Sequence, residues 1–344
     1  MGKKEPKGSD VSDSKKRKCR DASADQQPES SVSPVRPFTV SLAIPGSIMN
    51  KKMSDHQLAT VAGSIARALS IFRVDEVVIF NDKTDESREG AATLARIIQY
   101  LETPQYLRRA LIPTHKDLRF AGQLPPLEAP HHPRADEWPR YREGAVVASP
   151  QDESASKSNF VNVGLSKAVC VKHMLPVGTR VTVKMGDDST RSLEDSEEYE
   201  LVSPVEPREK CYGFWGYSVR QAAGLSGVIG GCPYAGGYDF LIGASADGES
   251  PPDGASLSVP TVKHALIAFG GVDGLTGSIR RDEALEGVSA DCFFDLYINT
   301  CAATLSPATR TIQCEDYVLI TLTFLQPFID AHVFSWNSQR NSLK

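Results

Sequence analysis

The sequence predicts an α/β fold interrupted by a small β-barrel, and three observations predict it. Apolar runs of strand length alternate with 3.6-residue periods at both ends of the chain. The middle instead carries short alternating β-branched runs punctuated by Pro, Gly and Asp. Three late segments, YDFLIGASADG (238–248), HALIAFGGVDG (264–274) and FFDLYINTC (293–301), share one grammar: an apolar strand running into glycine or another small residue.

Each element follows in order. Phe38 to Ile44 alternates and meets Pro45-Gly46, which ends a strand. Asp55 is placed to cap a helix with Leu58, Val61, Ala62, Ile65, Leu69 and Phe72 on one face. Residues 75–80, DEVVIF, read as a buried parallel strand. A second helix covers about 91–101, with Leu94, Ile97, Ile98 and Leu101 aligned. Thr103 then Pro104 restart a helix, a capping hydroxyl followed by proline at its first position. Residues 121–140 hold five prolines and no period, as a crossing loop would. Short runs at 145–147, 160–163, 169–171 and 180–184 then form the barrel, closed by Pro204 and Pro207. The α/β pattern resumes with a strand at 214–219 and the three late segments. A last helix starts near Gln313, carries Val318, Leu319, Leu322 and Leu325, and stops at Pro327, with a frayed tail after Ala331. The domain expectation is therefore a tail at 1–35, a discontinuous α/β domain at 36–139 and 211–332, a barrel insertion at 140–210, and a flexible end at 333–344.

Composition bounds the function. A length of 344 residues suggests about two domains, and a net charge of -5 does not describe a wholesale polyanion binder. Residues 1–35 hold eight Lys/Arg against six Asp/Glu, which leaves about -7 for the remainder, so any nucleic-acid surface is a local patch. The tail is polar enough to predict disorder. Its cluster Lys15-Lys16-Arg17-Lys18 reads either as a nuclear-import or RNA-contacting element or as a solubilising one. Seven scattered cysteines, with no C-x2-C pair and no secretory signal, point to a reducing, intracellular compartment, nuclear, nucleolar or cytoplasmic. No apolar run reaches the roughly 18 residues a membrane helix needs.

Candidate sites divide unevenly. Gly270-Gly271-x-x-Gly274, with Asp291 or Asp295 as the acidic partner, is a degenerate dinucleotide fingerprint. That motif needs a helix at its last glycine, and 274–290 shows no apolar helical period, while Asp295 falls inside the next strand. His131-His132 has no third ligand nearby and reads as a surface loop pair rather than a metal site. Tyr212, Trp215 and Tyr217 offer base stacking but read better as core aromatics. Ser245 lacks the G-x-S-x-G context of a hydrolase nucleophile, and Cys301 reads as a small residue facing a ligand or the core. Arg96, Arg108, Arg109, His115, Lys116 and Arg119 face only Glu102 and Asp117 in charge count, either an RNA phosphate-contacting stretch or a solvated helix face.

The three exits in this order, with a barrel inserted before them, resemble the SPOUT methyltransferases, in the RNA methyltransferase branch with an OB-like insertion. The resemblance covers about 36–330. SLAIPGSI (41–48), LARI (94–97) with YLETPQYLR (100–108), DLRFAG (117–122), PHH (130–132) and GFWGYSVR (213–220) carry it beside the exits. It implies a SPOUT α/β-knot, a deep trefoil that is an exception to unknotted topology. It also implies a homodimer and a pocket for bent S-adenosylmethionine. The implied pocket residues are Gly243, Ala244, Ser245, Gly270, Gly271, Gly274, Asn299, Thr300, Cys301 and Thr311, with Arg310 positioning the substrate. Adenine needs main-chain donors and acceptors at close range, which small residues permit. A sulfonium methyl is already activated, so the protein supplies positioning rather than a metal or nucleophile. The implied activity is base methylation in RNA, ribosomal RNA above all, with the barrel on the RNA. Ala244 and Asp247 in the first exit and Ala302 in the third depart from the family pattern. They leave a weakly active or inactive RNA-binding scaffold as the alternative.

Overall fold

The β-branched run after Asp75 forms a buried strand. Glu76–Phe80 (β2) has every residue buried, and each buried Val, Ile or Phe contributes roughly 1.5–3 kcal/mol relative to exposure. It lies beside Thr39–Pro45 (β1), whose other neighbour is His264–Phe269 (β10). This computed structural model describes residues 36–342 except 50–51, 83–86, 151, 153, 187–197, 252–256, 258–261, 272 and 302–311. The expectations for the 1–35 tail, Ala302, Arg310 and Thr311 fall outside the described residues.

Adding Ser218–Ala222 (β8), Phe240–Glu249 (β9) and Leu296–Ile298 (β11) gives six strands in the order β11-β9-β10-β1-β2-β8. All five pairings are parallel, so every strand ends on the same edge of the sheet. Asp55–Ile71 (α1) and Ser87–Glu102 (α2) pack on one face with the last helix, Cys314–Ser342 (to be α8), sealing Leu42, Ile44, Val77 and Ile79 beneath Ile65, Leu94 and Leu322. Gln105–Leu111 (α3) leads out of that layer, and the three-residue turn Val205–Pro207 (α4) leads back in. The other face carries Leu225–Gly230 (α5), Gly274–Arg281 (α6) and Ala290–Phe293 (α7), over Ala43, Val78, Phe80, Leu266 and Ala268.

The barrel is present where the turn pattern puts it. Tyr141–Val147 (β3), Lys157–Asn162 (β4), Val169–Pro176 (β5), Arg180–Lys184 (β6) and Glu198–Val202 (β7) close in the order β3-β4-β5-β7-β6. Only β5 and β7 pair in parallel; the other pairs run antiparallel. Val146, Val161, Val171 and Val183 fill its interior.

Several local expectations are corrected. Ser54, not Asp55, caps α1: its Oγ accepts from the Gln57 amide at 3.3 Å, and the Ser54 amide donates to Gln57 Oε1 at 2.8 Å, a capping box. Thr103 does not cap α3 but donates to the Gln99 carbonyl at 2.9 Å, continuing the α2 turn. The strand expected at 214–219 begins only at Ser218; Phe214, Trp215 and Tyr217 are buried in the approach to it. A helix does begin at Gly274, against expectation. Its buried side is Leu275, Ser278 and Ile279, and the serine erased the apolar period. Asp295 precedes β11 and accepts from the Leu241 amide at 2.8 Å, so it sits where β9 starts, not at the exits. The dinucleotide reading still fails, on this ground. Pro327 does not stop α8, which continues to Ser342. An interior proline costs about 3 kcal/mol, but Phe328 and Ile329 beyond it are buried in the same core as Leu325, which offsets that cost.

Candidate active site

Parallel strands pointing one way bring their exits together. In open α/β sheets ligands bind in the crevice at the carboxyl ends of the strands. At this edge the first exit (Gly243, Ala244, Ser245) meets the second. A Cβ on Gly274, which has φ +67°, would lie 3.6 Å from Ser245 Oγ and 3.7 Å from Asp247 Oδ2. The third exit meets the first through Asn299, whose amide donates to the Glu249 carbonyl at 2.6 Å and whose Nδ2 donates to the Ala246 carbonyl at 2.8 Å. Its Oδ1 accepts from the Cys301 amide at 3.0 Å. Thr300 Oγ1 lies 2.9 Å from Thr321 Oγ1, tying the third exit to α8.

The four glycines do different work. Gly243 is packed against the rings of Phe294 and Tyr297, where a Cβ would come within 2.8 Å. Gly270 lets α6 approach, since a Cβ there would sit 2.5 Å from the Gly274 carbonyl carbon. Gly274 supplies the left-handed turn that opens α6. Gly271 meets polar side chains at the closest range: a Cβ would collide with Ser47 Oγ and lie 2.7 Å from Asp82 Oδ2. Ala244 and Ser245 are buried, as are Thr300 and Cys301. Burial pushes the Cys301 thiol up, against a smaller opposing effect of the Thr300 hydroxyl, and so disfavours its thiolate.

Two groups at this edge were missed in the sequence. Asp82 follows the exit of β2 and is buried; its Oδ2 accepts from Ser47 Oγ at 2.5 Å and its Oδ1 has no partner among the described residues. Arg281 Nε donates to the Asp82 carbonyl at 2.9 Å, and its NH1 pairs with Asp273 Oδ2 at 2.7 Å. The usable signal was positional: a polar residue one or two places past a fully apolar parallel strand.

The basic stretch separates into two kinds of residue. Arg109, Lys116 and Arg119 are exposed, with the Arg119 guanidinium 5.3 Å from the Phe120 ring centre. Arg96 is half-buried and paired with Asp117, which also accepts from Thr93 Oγ1 at 3.0 Å. Arg108 does not belong to an exposed face. It is buried over Tyr100, donating to the carbonyls of Thr103 at 2.9 Å and Leu101 at 3.3 Å.

His131-His132 is likewise no surface pair. His131 is fully buried, with Nε2 3.0 Å from the Glu102 carbonyl and 3.2 Å from Glu102 Oε1. His132 Nε2 lies 2.6 Å from the same carbonyl, and burial, helped by His131, drives its pKa down to about 3. Arg180 joins Glu102 at 2.6 Å and Glu143 at 2.7 Å, bridging α2 to the barrel. Glu143 also accepts from Thr182 Oγ1 and Trp215 Nε1, both at 2.6 Å. Burial alone would raise the Glu102 carboxyl, but hydrogen bonding from His131 and the Arg180 charge hold it near 2. Among the described residues no group of His, Cys, Asp and Glu is arranged to hold a metal ion. No helix there is long and apolar enough to cross a membrane.

Among the described residues the chain is an α/β protein with an all-parallel sheet whose small-residue exits converge and a closed barrel spliced in ahead of them. The chain belongs to the putative RNA methyltransferase family, whose model matches residues 39–325. Among its relatives, the 28S rRNA (uridine-N(3))-methyltransferases of Mus musculus and Homo sapiens are each 42% identical over 307 residues. That match covers 85% of this chain and 77% and 79% of theirs. The Drosophila melanogaster protein of the same name is 39% identical over 317 residues, 86% of this chain and 64% of its own. The chain is an RNA methyltransferase and therefore uses a methyl donor.

Proposed function

We propose that the protein transfers a methyl group from S-adenosylmethionine to N3 of a uridine in large-subunit ribosomal RNA. The observation that carries this is the convergence of the three strand exits in a chain 42% identical to 28S rRNA (uridine-N(3))-methyltransferases. The residues fit the donor. Gly274 keeps its backbone free of a side chain beside Ser245 and Asp247, and Ser245, Asn299, Thr300 and Cys301 belong to the same converging exits. The donor supplies an activated methyl group; the chain orients it and excludes water. Arg310 and Thr311 remain assigned to substrate positioning and cofactor contact by resemblance alone.

Three further features belong to this reading. The order β11-β9-β10, followed by the α8 helix packed against α1, supports a trefoil-knot topology. The barrel order, with its single parallel pair, supports an OB-like module that holds RNA together with Arg96, Arg109, Lys116 and Arg119. Exposed Leu319 on α8 offers apolar surface to a second copy, as a homodimer needs. A protein acting on ribosomal RNA works inside the cell, where that RNA is made or assembled.

The test is to map modified uridines in ribosomal RNA from cells with and without the gene. One N3-methyluridine should vanish on deletion and return with the wild-type protein. An unchanged map, together with no transfer to unmodified ribosomal RNA in vitro, rejects the reading.

A further inference from the structure

We infer that Asp82 is the group that receives the imide proton of the target uracil, and that its free oxygen selects uracil over cytosine. This rests on the function proposed above. Asp82 belongs to the strand-exit edge but to none of the three exits. It stands just past β2 and reaches the second exit, where its Oδ2 would lie 2.7 Å from a Gly271 Cβ. The Ser47 hydroxyl donates to Oδ2 at 2.5 Å and fixes the carboxylate, while the Arg281 bond is to the Asp82 main chain. Among the described residues Oδ1 is left buried with no donor. A buried acceptor without a partner costs about 1–3 kcal/mol, and such groups are rare in folded proteins unless a ligand completes them.

The chemistry identifies the missing donor. Uracil presents N3–H; cytosine presents a lone pair at the same position and would be repelled. A site with an unpaired polar group discriminates strongly against analogues that cannot pair with it. N3 is a poor nucleophile while protonated. As its electron pair forms the N3–CH3 bond, the methyl–sulfur bond of the sulfonium donor breaks and leaves its pair on sulfur. The N3 proton passes to Asp82 Oδ1 and then to water once the product departs. Charges balance: a neutral imide and a sulfonium become a neutral N-methyl imide and a thioether, and one proton is released. Among the described residues the charged groups at Asp82 are Arg281, on its carbonyl, and Asp273, which faces Arg281.

The test compares wild type, Asp82→Asn and Ser47→Ala on unmodified ribosomal RNA, with donor affinity measured by calorimetry. Asp82→Asn should lower kcat by about 10²–10⁴-fold, the range for losing a general base. KM for RNA and donor affinity should stay within about threefold. The variant's rate should climb with pH toward the ordinary ionisation of uracil N3, and RNA carrying 5-fluorouridine, a stronger imide acid, should restore it more than it speeds wild type. Ser47→Ala, which frees the carboxylate without removing it, should lose less. Equal loss on both RNAs with no pH rescue, an unchanged kcat, or a loss confined to donor binding overturns the proposal. Should Asp82→Asn fail to fold, Ser47→Ala decides: no change in kcat and no added 5-fluorouridine benefit overturns it. Wild-type enzyme that methylates no uridine N3 rejects the functional reading itself, a result visible before any variant is made.

Discussion

Two regions of this molecule bury polar side chains, and they pair the carboxylates there to different degrees. At the junction of α2 with the barrel, Glu102, Glu143, Arg180, Thr182 and Trp215 satisfy one another within 2.6–3.0 Å. At the strand exits, Asp82 Oδ1 is buried with no hydrogen-bond partner among the described residues. A satisfied network fixes geometry, whereas an unsatisfied one stores a cost that a ligand relieves. The contrast is one of degree, since Nδ1 of His131 and of His132, beside the junction, is also buried without a hydrogen-bond partner among the described residues.

The comparison can be broken at several points, taken from the largest effect down. Arg180→Met removes the cation that two buried carboxylates share. It should destabilise the protein by about 3–5 kcal/mol, read as a fall in thermal midpoint, while activity per folded molecule changes little. Retained stability would make the junction no joint. Gly271→Val should act the other way, since its side chain meets Ser47 and Asp82. Donor affinity should drop by more than about a hundredfold, roughly 3 kcal/mol, in calorimetry, with the circular dichroism spectrum preserved. Normal affinity would move the pocket elsewhere.

Acid probes the joint alone. Glu102 lies near 2 when folded and near 4.5 when unfolded, a lowered value, so its contribution is complete above about pH 4.5 and fades as pH falls toward 2. Arg180→Met should flatten that part of the stability profile; an unchanged acid limb would contradict the assignment. Thr321→Val is the mildest change. It leaves the buried Thr300 hydroxyl without its 2.9 Å partner and should cost about 1 kcal/mol in denaturant unfolding.

Legibility in the sequence followed the range of the interaction. Runs such as EVVIF and the alternating barrel segments announced themselves, because burial on one or both faces is written in period two or in continuous β-branching. The strand exits were readable as positions, and structure brings all three together. What each glycine does was not readable, since Gly243 answers to Phe294 and Gly271 to Asp82, partners set by the fold. The α6 helix hid behind Ser278, and α8 ran through Pro327 because the core holds it on both sides. The junction was invisible for the same reason: Arg180 and Glu102 are 78 residues apart, so His131 looked like a loop histidine.

The position of β1 has a kinetic meaning. The first strand made lies mid-sheet, and one of its two edges waits for β10, with Thr39 beside His264 across 225 residues. During synthesis the chain holds an open, apolar edge until most of its length exists, while the barrel, built from nearer partners, can close earlier. Such a chain is exposed to mispairing for longest at the strand that anchors its own active edge, and its yield in cells should depend on how that edge is sheltered while translation finishes.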